Sequence, residues 1–114
     1  MANEVKFIQE GNILDVKVTD PVSYMSVMPL SLTTNVALGV GVACEDIAAG
    51  AVGAVSTKGV YEFPAVTAAM NFGDQVYWDN TNKKITKTAT NNTPAGMVVQ
   101  DKASGATAVR VKIG

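Results

Sequence analysis

Between Gly73 and Ile85 the chain reads Gly-Asp-Gln-Val-Tyr-Trp-Asp-Asn-Thr-Asn-Lys-Lys-Ile, and this stretch limits the possible folds more than any other. Val76 and Trp78 alternate with Gln75, Tyr77 and Asp79, so an extended backbone sends Val76 and Trp78 to one face and Tyr77 to the other. Asp79 to Asn82 supplies side chains that bond their own backbone and tolerate left-handed dihedrals, and extended character resumes from Lys83 through Ile85 and Thr86. The segment is a hairpin. Trp78 is the only tryptophan among 114 residues. By area, a buried Trp with a neighbouring Tyr is among the largest apolar contributions available, so the core is expected to form against this hairpin.

The remaining chain repeats the pattern on a smaller scale. Ile13 to Val18 alternates, with Leu14, Val16 and Val18 on one side and Asp15 and Lys17 on the other, which predicts a half-buried strand. Asp20-Pro21 breaks it. Val22 to Leu32 carries Pro29, which argues against a central strand or a helix interior. It is either a loop and edge strand tucked under the sheet or a pliable apolar patch for a neighbouring subunit, because methionine adapts to irregular surfaces. From Asn35 to Cys44, bulky Val36, Leu38, Val40 and Val42 alternate with Ala37, Gly39, Gly41 and Ala43, as expected where another backbone or sheet comes close on the small side. Ala51 to Ser56, Gly59 to Phe63, Ala95 to Asp101 and Thr107 to Ile113 complete the strands. Ala65 to Phe72, after Pro64 and before Gly73, is expected to form the one short helix.

These elements predict an all-β fold, a small barrel or sandwich of about eight short strands. An extended N-terminal arm over residues 1–12 precedes a single domain over residues 13–114. The arm mixes polar and apolar residues and ends at Gly11-Asn12, a good turn. It is either the first strand of the sheet or a segment that orders by pairing with another chain's edge.

Histidine is absent and the formal net charge is -1. Without histidine, the commonest general base, the usual zinc ligand and any Ser-His or Cys-His pair are missing. Glu45 with Asp46, and Asp74 with Asp79, remain as carboxylate candidates, and each reads better as turn chemistry. Asp79 to Asn82 lacks the glycine and the distal glutamate of a calcium loop, and the glycines around Gly39 lack the lysine of a phosphate loop. No cofactor and no metal are therefore expected. Lys83, Lys84 and Lys87 sit beside a turn without interleaved aromatics, so they read as a solvated edge and not as a nucleic-acid surface. The lone Cys44 is expected to be a small buried hydrophobe. No apolar run is long enough for a membrane helix, and the start lacks a signal-peptide pattern, so a soluble chain with no membrane partner is expected.

An ordered set of pieces also resembles a known family. Gly41-Val42-Ala43, Asp46-Ile47-Ala48-Ala49-Gly50, Gly59-Val60-Tyr61-Glu62-Phe63-Pro64, Gly73-Asp74-Gln75-Val76-Tyr77-Trp78-Asp79, Asn92 and Val109-Arg110-Val111 occur in the order of the small tailed-phage capsid cement proteins. That family is also met as a domain of unknown function or under a misleading label as RecA-like phage recombinases. A recombinase needs a phosphate-cradling loop with its lysine, and this chain has none. The chain departs from the family pattern at Ser23 to Thr34, where relatives carry a short Ser-Gly turn.

The resemblance implies a structural protein of the virion, made in the host cytoplasm. It would sit on the outer surface of an expanded phage head at capsomer junctions, with the major capsid protein as partner and a homotrimer as the favoured state. It also implies that an N-terminal arm, here Asn3, Glu4, Val5, Lys6, Phe7 and Ile8, adds a strand to the capsid protein. Tyr24, Met25, Met28, Pro29 and Leu30 are the candidates for a subunit interface. A competing expectation is a binding module for carbohydrate or another polymer, with Tyr24, Tyr61 or Tyr77 as a stacking platform.

Overall fold

The computed structural model describes residues 5–9, 11–30 and 39–114, and among them it forms nine β-strands in two antiparallel sheets. The first sheet contains β1 (Ile13–Lys17), β2 (Val27–Pro29), β3 (Val40–Ala43) and β4 (Val52–Ser56), in the spatial order β1-β4-β3-β2. The second contains β5 (Gly59–Pro64), β6 (Gln75–Asp79), β7 (Lys84–Thr86), β8 (Thr93–Val98) and β9 (Ala108–Ile113), in the order β5-β9-β8-β6-β7. The arrangement is a sandwich and not a closed barrel. The rim strands β5 and β7 meet at a single parallel bridge between Ala65 and Ile85, where Val66 N–H donates to the Ile85 carbonyl at 3.0 Å.

The main core lies on the inner face of the second sheet. In β9, Val109, Val111 and Ile113 point inward while Ala108, Arg110 and Lys112 face solvent, the period-two pattern expected of a half-buried strand. Phe63, Met70, Val76, Trp78, Ile85 and Val98 fill the same core. Phe63 and Trp78 pack with ring centroids 6.2 Å apart, and Tyr61 meets Phe63 edge-on at 6.4 Å. The β8 strand carries one extra residue: Val76 pairs with Gly96 and Tyr77 with Pro94, leaving Ala95 as a bulge that points into the core. Beside the bulge, a Cβ at Gly96 would overlap the Lys112 carbonyl oxygen, so glycine permits the close approach of β8 and β9.

The first sheet contributes to that core through one half only. The bulky side of β3, Val40 and Val42, joins the main core, with Val27 of β2 packed against it. Its small side faces a second, smaller core of Val18, Met28, Ala43, Ile47 and Val55. The small side is crowded chiefly by side chains and not by the expected backbone: a Cβ at Gly41 would overlap Val55 and come within 3.0 Å of Leu30, with the Ser56 carbonyl oxygen at 3.2 Å. Strand β3 is thus buried on both faces. Along the expected inner face of β1 burial is graded, with Val18 buried, Val16 packed against the smaller core and Leu14 36% exposed at the open end.

Two further expectations are corrected. Residues 65–72 do not form a helix. Their backbone bonds run to distant parts of the chain, with Ala65 N–H on the Thr107 carbonyl and Met70 exchanging bonds with Lys102 in both directions. A helix of two turns is marginal by itself, and these long-range bonds satisfy the same groups while burying Ala65 and Met70. Cys44 is exposed and not buried, because β3 ends at Ala43 and the alternation stops with it. The described part of the N-terminal segment, residues 5–9, is exposed and joins no strand.

Candidate interaction surface

The 73–85 segment folds as its composition requires. Tyr77 pairs with Thr86, Trp78 with Ile85 and Asp79 with Lys84. The Asp79 carboxylate accepts bonds from the Thr81 and Asn82 backbone N–H groups and from the Asn82 side chain at 2.8–3.2 Å, and Lys83 N–H closes the loop on the Asp79 carbonyl at 2.7 Å. Lys83 takes the left-handed conformation there, with φ of 58°. The bonds from Asn82, then from Thr81, hold the Asp79 carboxyl below its ordinary value of 3.8. Trp78 is buried, and its indole N–H donates to the Asn80 side-chain oxygen at 3.1 Å. Its polar atom is therefore satisfied within the hairpin, without a ligand.

The other carboxylate candidates serve the backbone in the same way. Glu45 accepts from Ala54 N–H at 2.9 Å, Asp46 from Tyr24 N–H at 2.7 Å and Asp74 from Asn71 N–H at 2.9 Å. The Asn71 bond, with Lys87 Nζ at 3.5 Å, holds the Asp74 carboxyl below its ordinary value. Among the described residues no group of three His, Cys, Asp or Glu side chains could hold a metal, and no helix is long and apolar enough to cross a membrane. Lys83, Lys84 and Lys87 are all exposed; Lys83 Nζ donates to Asn80 and Lys87 faces Asp74.

The expected tyrosine platform is dispersed. Tyr24 is exposed in a loop, Tyr61 is half-buried against Phe63, and Tyr77 is half-buried on β6 with its side chain opposite in direction to Trp78. Among the described residues no two tyrosine rings pack together.

The expected contact residues fall into three places. Asn3 and Glu4 lie outside the described residues, and Val5, Lys6, Phe7 and Ile8 are exposed, with Val5 at 96% and Phe7 at 77%. Tyr24 and Met25 form the tip of a turn closed by Ser26 N–H on the Ser23 carbonyl at 3.0 Å. Met25 has φ of 64°, so this is a type II turn with methionine where glycine is usual. Asp46 and the Ala43 carbonyl hold the tip by the Tyr24 and Met25 N–H groups, which keeps both side chains in solvent. Met28 points the other way, into the smaller core, while Pro29 pairs with Val40 and Leu30 is exposed beyond the far end of β2. Five neighbours in sequence therefore do not make one surface, because the pleat of β2 sends Met28 inward.

Two open grooves flank β2. The larger, about 980 Å³, runs between Val22, Met25 and Met28 on one wall and Trp78, Asn80 and Lys83 on the other. The smaller, about 460 Å³, lies among Leu30, Val40, Pro94 and Ala95, with Thr57 and Lys58 at its rim. Neither contains a convergent set of catalytic groups.

Lys102 is a buried residue that sequence reasoning missed. Its ammonium donates to the Ala68 carbonyl at 2.6 Å and the Ala103 carbonyl at 3.3 Å, tying the 65–70 segment to the loop before β9. A lysine in a stretch of small residues reads as solvated loop, and only the bridge to Met70 shows otherwise.

No curated protein and no solved structure matches this chain. A family model described as phage cement protein does, over residues 8–113, a span that includes every strand of both sheets. On the strength of that match the chain belongs to the phage cement protein family.

Proposed function

We propose that this protein binds the outer surface of an expanded phage head at capsomer junctions and stabilises the shell by contact energy, without catalysis. The match to the cement family along nearly the whole chain carries this reading. The exposed apolar residues Val5, Phe7 and Ile8 support a contact role for the N-terminal segment, since large apolar side chains left in water gain by being covered. In this reading Asn3 to Ile8 reach the major capsid protein, and Tyr24, Met25 and Leu30 serve contacts between subunits of a homotrimer. Three weak arms on one trimer raise avidity by about 10² to 10⁴ over a single arm.

Co-sedimentation with undecorated expanded heads tests the proposal. Binding at micromolar concentration or tighter is expected to expanded heads, and deletion of residues 1–8 is expected to abolish it while the far-UV spectrum of the body is retained. Absence of binding to both expanded and unexpanded heads would refute the reading, and unchanged affinity after the deletion would refute the part assigned to the arm.

A further inference from the structure

Among the described residues the two sheets have four rim strands, and proline interrupts the open edge of two of them. In β2, the bonds from Leu30 N–H to the Gly39 carbonyl and from Ala43 N–H to the Ser26 carbonyl turn Ser26, Met28 and Leu30 toward β3. Val27 and Pro29 therefore face outward, and proline offers no N–H. By the same alternation β5 presents Val60, Glu62 and Pro64, since Ala65 N–H bonds the Thr107 carbonyl on the β9 side. The short β7 begins at Lys84 and is flanked by Lys83 and Lys87, and its Ile85 carbonyl is taken by Val66. These are the usual devices that stop a sheet from growing.

Strand β1 carries charged residues of its own, Asp15 and Lys17, but of opposite sign, so an arm of matching charges can pair with them. Val18 N–H bonds the Ala51 carbonyl at 3.0 Å and Thr57 N–H the Asn12 carbonyl at 2.8 Å, so Asn12, Leu14, Val16 and Val18 face β4. The N–H and C=O groups of Ile13, Asp15 and Lys17 face outward along an edge with no proline. Ile13 and Leu14 expose apolar surface on opposite faces of this strand.

Residues 5–8 complement that edge on both faces. Laid antiparallel with Ile8 opposite Ile13, they set Lys6 opposite Asp15 on one face, and Phe7 opposite Leu14 and Val5 opposite Val16 on the other. Cross-strand pairs of opposite charge and of apolar side chains are the ones that stabilise a sheet. In its own chain the segment does not take this place. By strand alternation the Gly11 carbonyl would face the open edge, yet it accepts a bond from Thr57 Oγ1 on the β4 side. The chain bends at Gly11-Asn12 toward β4, and residues 5–9 remain unpaired.

We infer that the free edge of β1 receives residues 5–8 of a second copy of this chain, an exchange of arms that joins subunits of the free protein. The inference does not rest on the capsid reading. An arm seated on a neighbouring copy is withheld from the shell, so the two uses of residues 5–8 compete. Exchange is tested on the free protein, without heads.

Sedimentation of the full chain at tens of micromolar is expected to show an oligomer that dissociates when residues 1–8 are deleted. Asp15→Lys or Lys6→Asp alone sets like charges across the strands and is expected to weaken association by about tenfold, while the double variant restores it. An oligomer that withstands the deletion, a full chain that is already monomeric, or a double variant no better than the singles overturns the inference. Two single-cysteine chains, Phe7→Cys and Leu14→Cys, each also carrying Cys44→Ser, separate exchange from its rivals. These positions oppose each other without hydrogen bonds between them, where Cβ atoms come within about 5 Å and a disulfide can form. Mixed and oxidised, the two chains are expected to form a crosslinked pair. No crosslink between them, or equally efficient crosslinking of the Leu14→Cys chain with itself, counts against the exchange and, in the second case, in favour of β1 pairing with β1.

Discussion

The two sheets of this protein are built from similar sequence patterns and end in different situations. In the second sheet, β9 and β6 alternate buried and accessible residues, and every apolar residue on the inner face has a partner: Trp78 has Phe63, and Phe63 has Tyr61. In the first sheet, β1 alternates almost as regularly in sequence, yet Ile13 and Leu14 stay accessible and only Val16 packs on a core. Its alternation was met by β4 on one edge and by nothing on the other. A pattern in one strand shows that a face can be buried, and the neighbouring elements decide whether it is. The second sheet therefore supplies most of the main core, and the first carries the exposed rim at β1.

Substitution at matched positions tests this division. Trp78→Ala is expected to cost about 3–5 kcal/mol in urea unfolding, the range for large-to-small changes at a buried aromatic. Leu14→Ala, at an edge already open to solvent, is expected to cost no more than about 0.5 kcal/mol under dilute conditions where the chain is monomeric. Equal effects at the two sites would break the comparison.

A smaller effect is expected at the bulge. Gly96→Ala forces a Cβ against the Lys112 carbonyl and is expected to cost about 1–3 kcal/mol, the range for overpacking, through separation of β8 from β9. The loss should appear as early exchange of the β8 and β9 amides, with β1 and β4 amides unchanged. Uniform loss across both sheets would mean that they unfold as one unit.

The smallest effect concerns the Asp79 turn. Its carboxyl is held below 3.8 in the fold, so the stabilisation is fully present above the unfolded value and is lost as pH falls through the folded one. Asp79→Asn is expected to lower the unfolding midpoint at neutral pH by a small margin that shrinks as pH drops below 3.8. A margin that stays constant down to that range would show that the ionised form adds nothing to the turn.

Much of the fold was legible in the sequence because short strands carry local signals. The hairpin around Trp78 could be read from alternation and from the Asp-Asn-Thr-Asn turn, and β9 from Val109, Val111 and Ile113. The failures share a cause. Ala65 to Phe72 had a start, a stop and helix-compatible residues, but Met70 and Lys102 are 32 positions apart and their backbone exchange is not visible locally. Cys44 sat at the end of an alternating run whose last strand residue, Ala43, no local signal marked. The contact surface was legible only in part, since composition identifies apolar residues without saying which way the pleat turns them. Met28 and Met25 lie three positions apart; one is core and the other is solvent-exposed.

By itself, then, the sequence determined the all-β class, the turn chemistry, the lack of histidine and the ordered pieces that mark the cement family. These depend on side-chain type and near-neighbour spacing. The tertiary structure decided which edges are open, which alternating faces are covered and which residues meet across the sheets, because those follow from strand order. The placement of β1 at a rim and of Pro29 and Pro64 at two others arises from pairings between distant residues, and it leaves the backbone of Ile13, Asp15 and Lys17 on a rim without proline.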